Sequence, residues 1–277
     1  MSFAGNQLNL PGSSNSAVSV NPRRLEDVMG EKPFKWTSIT FGCQALDQLL
    51  DGGLSCNGIT EIYGESGTGK SQICMQLAVT AQLPPDRGGT GKGVVYFTTR
   101  GGNIPSDRLM SIIRTFQDRY PNLRINYMGN IFIQRNMEVC GLLHCVQHKF
   151  PEFLQKQQIG LVIVDSMGIF RHEADKIQRS RNMRCLATCL NSLAKQHNFA
   201  VLCVNEATSI PKPGESEIIP SLGLSWSNLV STRLKLSRTD RTTSSGDVVR
   251  MMSYMHSPQV AIESAEFIIT GGGVCDL

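Results

Sequence analysis

No pair of the nine cysteines forms a CxxC motif, no apolar run approaches the ~18 residues that cross a bilayer, and no signal peptide opens the chain. The first absence argues against a disulfide framework. Cysteines such as Cys74 and Cys203 fall inside apolar helix and strand patterns, as free buried thiols do in a reducing compartment. The other two leave no membrane span and no secretory route. One-sided charge is missing as well. A net charge of +4 with 18% charged residues suits an ordinary globular surface and is only compatible with nucleic acid, not an argument for it. Cys140, His144, Cys145 and His148 recur at helical i, i+4 spacing. A zinc site there needs ligands from a second element, so the expectation is one side of a buried helix.

What the chain does have is length and one strong motif. Its 277 residues can bury roughly 70–75% of the unfolded surface without a metal or disulfide staple. Residues 1–35 are rich in Ser, Asn, Pro and Gly and read as a mobile tail or linker, with Phe34 and Trp36 able to dock on the domain. Residues 36–277 read as a single core domain. Within it, Gly64-Glu65-Ser66-Gly67-Thr68-Gly69-Lys70-Ser71 fits the phosphate-loop pattern GxxxxGK[ST] at every fixed position. A short strand, Ile59 to Tyr63, precedes it and a helix, Gln72 to Gln82, follows. Glycines let successive N–H groups point at phosphate oxygens, and the helix presents its positive end to them. Lys70 is expected to reach the β/γ-phosphates and Ser71 to offer its hydroxyl to Mg²⁺. The expected ligand is ATP with Mg²⁺.

The remaining pattern predicts an α/β fold. Leu46, Leu49 and Leu50 share one face of a short helix closed by Asp51-Gly52-Gly53. Strands are expected at Val94–Thr98, Ile131–Ile133, Ile159–Asp165 and Phe199–Asn205, with helices at Pro105–Tyr120, Glu138–Phe150 and Ile177–His197 between them. The unbroken apolar run Leu161 to Val164 implies a strand covered on both faces, hence a mostly parallel sheet. Asp165 ends that strand, where ligands sit in open parallel sheets, and a carboxylate there can hold Mg²⁺ opposite Ser71. The plainer role is a cap on the next turn. After Leu229 the strands lack intervening helices, which predicts an antiparallel C-terminal extension.

Four stretches together resemble the RecA/RadA family of DNA recombinases, in its eukaryotic paralogue branch. They are Phe41 to Leu50 with Gly52-Gly53, Gly58-Ile59-Thr60-Glu61 leading into the phosphate loop, Val162 to Ser166, and Phe267 to Ile269 with Gly273 to Asp276. The resemblance covers roughly residues 36–277. It implies a RecA-like ATPase core and work in homologous-recombination repair beside other recombinase paralogues or the main strand-exchange recombinase. A nuclear location follows from the family alone, with the cytoplasm also open. By position, Arg108 matches an arginine that stacks on adenine, and Met255 to Pro258 matches a strip that caps ATP from a neighbouring subunit. Arg171, Lys176, Arg179, Arg181 and Arg184 fall where the family has a DNA loop; a solvated basic face is the equal alternative. The second DNA loop, Ala207 to Ile219, sets Lys212 against Glu215 and Glu217 and has no aromatic to stack on a base. The N-terminal stretch is shorter than the helical domain of many relatives.

Two departures bear on catalysis. The family's general-base glutamate is replaced by Arg100, and its γ-phosphate-sensing glutamine by Glu206. Losing a positioned base typically costs about 10²–10⁴ in rate. Both positions follow strands at the nucleotide end of the sheet, so an Arg100–Glu206 ion pair is one expectation and independent drift the other. The sequence therefore predicts ATP binding with weak or absent hydrolysis. A competent DNA-stimulated ATPase, with Glu206 or a partner's carboxylate as base, and a nucleotide-free interaction module are the alternatives.

Overall fold

A computed structural model of the chain describes residues 37–99, 104–135, 137–212, 215–256 and 261–277. The stretch read as a tail lies outside these residues, as do Trp36 and Arg100. The described part opens with a small ribbon in which β1 (Ser38–Ile39) pairs antiparallel with β2 (Leu54–Ser55) around α1 (Gln44–Leu49). Then β3 (Ile59–Gly64) runs through the glycine-rich loop into α2 (Lys70–Thr80). Next come β4 (Gly93–Thr98), α3 (Ser106–Arg119) and the edge strand β5 (Ile131–Gln134). Helix α4 (Val139–His144) continues through a π turn, Cys145–Lys149, into α5 (Phe150–Leu154). Pro151 has no N–H for the ladder, and the wider turn just before it absorbs that loss. Strand β6 (Ile159–Asp165), the turn Met167–His172, α6 (Lys176–His197), β7 (Ala200–Lys212), β8 (Glu215–Pro220) and α7 (Gly223–Ser227) follow. The chain ends in β9 (Thr232–Thr242), β10 (Val248–Met255), β11 (Ala261–Thr270) and β12 (Gly273–Cys275).

The main sheet has the order β12-β11-β10-β9-β3-β7-β6-β4-β5, with β8 pairing to β7. From β9 to β5 every pair is parallel, and from β9 to β12 every pair is antiparallel. The expected RecA-like architecture and its antiparallel extension are both present. Alternate residues of each parallel strand feed opposite cores. Leu161 and Ile163 pack with Leu46, Ile73 and Leu77 under α1 and α2, while Val162 and Val164 pack with Met183, Leu190 and Trp226 under α6 and α7. A third cluster joins α2 to α3 through Val79, Leu109 and Phe116.

Three differences from the sequence reading have physical reasons. The Cys/His helix does not bury that face. Cys140, His144 and His148 are exposed, Leu142 and Val146 fill the core instead, and the described residues hold no grouping that suits a metal ion. The strand expected to stop at Asn205 runs on to Lys212, because β8 folds back on it and satisfies its ladder from Ala207 onward. Strands β9 and β11 also reach further than their apolar cores, to polar ends where cross-strand pairing replaces burial. All nine cysteines are free; Cys43, Cys56, Cys74 and Cys203 are buried and Cys140 is exposed.

Buried polar groups set the register of the central strands. Glu61 of β3 is fully buried, accepting from Asn205 Nδ2 at 2.7 Å and Arg233 Nε at 2.6 Å. Asn205 Oδ1 in turn accepts from the Glu206 N–H at 2.8 Å and Ser221 Oγ at 2.9 Å. Gln76 of α2, also buried, joins the two ends of the described chain. Its Nε2 donates to the carbonyls of Phe41 (2.6 Å) and Val274 (2.7 Å), and its Oε1 accepts from Val274 N (2.7 Å). The N-terminus of α1 has no cap from Cys43. Asp276 supplies it from the far end of the chain, accepting from Gln44 N at 2.9 Å and Ala45 N at 2.7 Å. Burial raises the Asp276 pKa, but the hydrogen bonds from Ala45, Gln44 and Cys43 outweigh it and hold the carboxyl below its ordinary 3.8.

Removing one member of the buried pair leaves the other charge stranded. Arg233→Met is therefore expected to cost about 3–5 kcal/mol in urea unfolding. Adding Glu61→Gln should recover part of that loss, because it removes the stranded carboxylate charge; a double variant no better than the single would refute the account. Asp276→Ala should cost about 1 kcal/mol, the usual worth of a helix cap. A carboxyl whose folded pKa is depressed contributes stability above its unfolded pKa and loses it as pH falls through the folded value. The gap between wild type and Asp276→Ala should thus close as unfolding is followed below pH 3.8.

Candidate nucleotide-binding site

The site lies at the C-terminal ends of the parallel strands, where β3 turns into α2. A cleft of about 910 Å³ is lined by Gly64 to Gly67, Gly69 to Gln72, Arg108, Asp165, Glu206 and Arg250, among others. Two glycines show why the loop needs no side chains. A Cβ on Gly64 would lie 2.3 Å from the Leu236 carbonyl oxygen, and Gly69, at φ 107°, would push one to 2.5 Å from Ile269 Cδ1. The backbone is thereby free to curl, and Thr68 braces the curl by donating from Oγ1 to the Glu65 carbonyl at 2.9 Å. Lys70 Nζ donates to the carbonyls of Gly64 and Glu65, both at 2.7 Å. Burial lowers its pKa, and the carboxylates of Asp165 and Glu206 act in the opposite sense.

Asp165 faces the loop from the end of β6. Its Oδ2 accepts from the Tyr96 hydroxyl at 2.7 Å. Burial raises its pKa, while the Tyr96 hydrogen bond and the Lys70 charge lower it. A half-buried carboxylate beside an exposed Ser71 and a cationic loop suits Mg²⁺, whose charge would offset the desolvation. Tyr96 is a residue the sequence reading missed. Its signal was a hydroxyl-bearing aromatic in an otherwise apolar central strand.

Arg108 projects from the first turn of α3 and is pinned at its edge. Nε donates to Gln72 Oε1 at 2.6 Å, and the two terminal nitrogens donate to the carbonyls of Gly271 (2.5 Å) and Thr270 (2.6 Å). In-plane hydrogen bonds fix the guanidinium while leaving its faces for stacking. Gln72, Thr270 and Gly271, which the sequence did not single out, form that wall of the cleft.

Glu206 follows Asn205 within β7, at the point where β3 ends, and sits across from Gly64 in the β3 register. Its carboxylate accepts from Arg171 Nη1 at 2.9 Å. The expected Arg100–Glu206 pair lies outside the described residues on its Arg100 side; among the described residues, Glu206 pairs with Arg171. Of the basic residues read as a DNA face, Arg171 is thus engaged at the nucleotide site. Lys176, Arg181 and Arg184 are exposed on α6 and Arg179 is partly buried. In the second loop, residues 207–212 and 215–219 pair antiparallel as parts of β7 and β8. Of the strip Met255 to Pro258, only Met255 and His256 lie within the described residues.

Comparison with known proteins agrees with this geometry. The Rad51 family matches residues 34–277. The DNA repair protein XRCC3 of Bos taurus is 33% identical over 264 residues, covering 88% of this chain and 76% of that protein. The DNA repair protein rhp57 of Schizosaccharomyces pombe is 32% identical over 269 residues, with 81% and 76% covered. The DNA repair and recombination protein RadA of Cenarchaeum symbiosum is 33% identical over 178 residues, with 62% and 43% covered. The segment Pro220 to Asn228, by which the sequence most resembles the XRCC3 type, holds Ser221 against Asn205 and Trp226 in the core. Phosphate loop, strand order and sequence likeness converge: the chain belongs to the Rad51 family.

Proposed function

We propose that this chain is a recombinase paralogue of homologous-recombination repair that holds ATP–Mg²⁺ as a structural ligand and hydrolyses it weakly or not at all. The observation that carries the reading is the contrast at one cleft. The loop Gly64 to Ser71, Arg108 and Asp165 converge on it, while the sequence puts Arg100 where a water-activating carboxylate belongs. Arg108 holds the base, the loop N–H groups and Lys70 hold the phosphates, and Ser71 with Asp165 holds the metal. When bound, the triphosphate and its metal supply charge that the cleft is built to neutralise. Arg100 cannot take a proton from water, and Glu206 is tied to Arg171.

A ligand of this kind works through assembly. At about 100 times its Kd it adds roughly 2.7 kcal/mol to the folded state, and to any interface it touches. The partners are other recombinase paralogues or the main strand-exchange recombinase, in the nucleus. Single-stranded DNA is reached through them or through Lys176, Arg179, Arg181 and Arg184. Among the described residues no helix is long and apolar enough to cross a membrane.

Lys70→Ala is expected to abolish ATP binding in calorimetry and to weaken partner capture; partner binding equal to wild type would refute the structural-ligand role. In Asp165→Asn, affinity for ATP with Mg²⁺ should fall to the value that wild type shows in EDTA. An Mg²⁺ enhancement that survives the substitution would remove Asp165 from the metal site. Single-turnover assays with and without single-stranded DNA address the rival ATPase. Fast hydrolysis by the isolated chain, abolished by Glu206→Gln, would establish Glu206 as the base instead.

A further inference from the structure

Two arginines of the antiparallel extension stand over the phosphate loop. Arg250 of β10 and Arg238 of β9 are direct cross-strand partners. A Cβ on Gly69 would lie 3.6 Å from Arg250 Cδ and 3.8 Å from its Nε, and one on Gly67 would lie 3.8 Å from Arg238 Nη1. The pair therefore spans the loop from Gly67 to Gly69, and Arg250 lines the same cleft as Lys70 and Ser71.

This placement is poorly satisfied among the described residues. Like charges directly opposite each other in an antiparallel ladder destabilise it. The Arg238 side chain makes no hydrogen bond or ion pair among the described residues. Arg250 Nη1 donates to the Val248 carbonyl at 2.9 Å, but its Nε is buried without a partner. Burial and the Arg238 charge both push the Arg250 pKa down. Asp247 acts in the opposite sense, yet its carboxylate accepts a hydrogen bond from Ser245 rather than from either arginine. Two guanidinium groups held together, one with a dry orphan donor, suit an anion between or before them. A guanidinium fork matches phosphate oxygens with two N–H bonds.

We propose that Arg250, supported by Arg238, is a phosphate-binding element that the C-terminal sheet supplies in cis to the α/β part of the nucleotide's phosphate chain. The inference rests on the reading of the cleft as a nucleoside triphosphate site. It divides the work by position. Lys70 serves the β/γ end, as its motif dictates, while Arg250 stands by the loop residues whose N–H groups cradle the α- and β-phosphates. Arg238 raises the local positive potential and keeps the Arg250 fork turned to the loop. The element holds the nucleotide without touching the γ-phosphate, as a site built for retention requires.

The test is calorimetry of the full chain with Mg-ATP and with Mg-ADP, paired with thermal unfolding of the nucleotide-free protein. Arg250→Met keeps the stem that packs over Gly69 and removes the charge. It should weaken both nucleotides by about 10- to 100-fold, the worth of one or two charge-assisted hydrogen bonds. The nucleotide-free Tm should stay level or rise, because the repulsion and the orphan donor are gone. Arg250→Lys should restore part of the affinity, and Arg238→Met, at an exposed position, should weaken both nucleotides less than Arg250→Met does. Unchanged affinity in Arg250→Met overturns the proposal, and a loss confined to ATP overturns its assignment to the α/β end. If Arg250→Met unfolds, unchanged affinity for both nucleotides in Arg238→Met and Arg250→Lys overturns it equally. A wild-type chain that binds neither nucleotide defeats the reading of the cleft itself.

Discussion

Glu61 is a fully buried carboxylate in the middle of the sheet, and the geometry of the cleft follows from how it is neutralised. Its two oxygens are claimed by strands on either side, Arg233 from β9 and Asn205 from β7. A slip of one residue in either ladder would turn Glu61 away from its partner on that side and toward apolar neighbours such as Leu202 and Leu234. Desolvating a carboxylate without its counter-charge costs several kcal/mol, so such slips are strongly disfavoured. The register thus fixed sets Gly64 against the Leu236 carbonyl and Glu206 across from Gly64. The loop begins where it does because the strand beneath it cannot slide.

The nucleotide cleft is assembled from remote parts of the chain, and the packing shows how they are kept in place. Gln76 uses its amide to tie Phe41 and Val274 to the helix that starts at Lys70. Asp276 closes the same seam from outside by capping α1. With β12 sealed on, the end of β11 is held so that the carbonyls of Thr270 and Gly271 meet Arg108. The antiparallel extension is therefore a wall of the site and a source of its charge, not an appendage to a parallel ATPase core.

Much of this was legible in the sequence, for definable reasons. The loop Gly64 to Ser71 is readable because its function requires fixed residue types at fixed spacing. Continuous apolar runs such as Leu161 to Val164 are readable because a doubly covered strand tolerates little else. The length of β7 was not legible, since Ala207 to Lys212 is held by pairing with β8 rather than by burial. The exposure of the Cys140/His144/His148 face was not legible either: helical spacing groups residues on a side but does not say which side faces the core. The pairing role of Glu61, and Arg233, Arg238 and Arg250 altogether, were overlooked because their meaning lies in partners far along the chain or across a ladder. A charged residue inside an apolar central strand was the signal available, and for Glu61 it was enough to demand a counter-charge.

The distribution of charge around the cleft then separates holding a phosphate from attacking it. Cationic groups approach from several sides: Lys70 from the loop, Arg108 from α3, and Arg238 with Arg250 from the extension. Among the described carboxylates that line the cleft, Glu65 is exposed on the loop itself, and Asp165 is hydrogen-bonded to Tyr96 and suits a metal. Glu206 is bound to Arg171 in a pair that is partly exposed on both sides, at 41% and 28%. A pair of that exposure contributes about 0–1 kcal/mol, so it can exchange partners without unfolding anything. Yet the approach of its carboxylate to a polyphosphate is repulsive unless a cation comes with it. Activating water in this cleft would need a negative group to move toward negative oxygens. Retaining the nucleotide needs only the positive groups already in place.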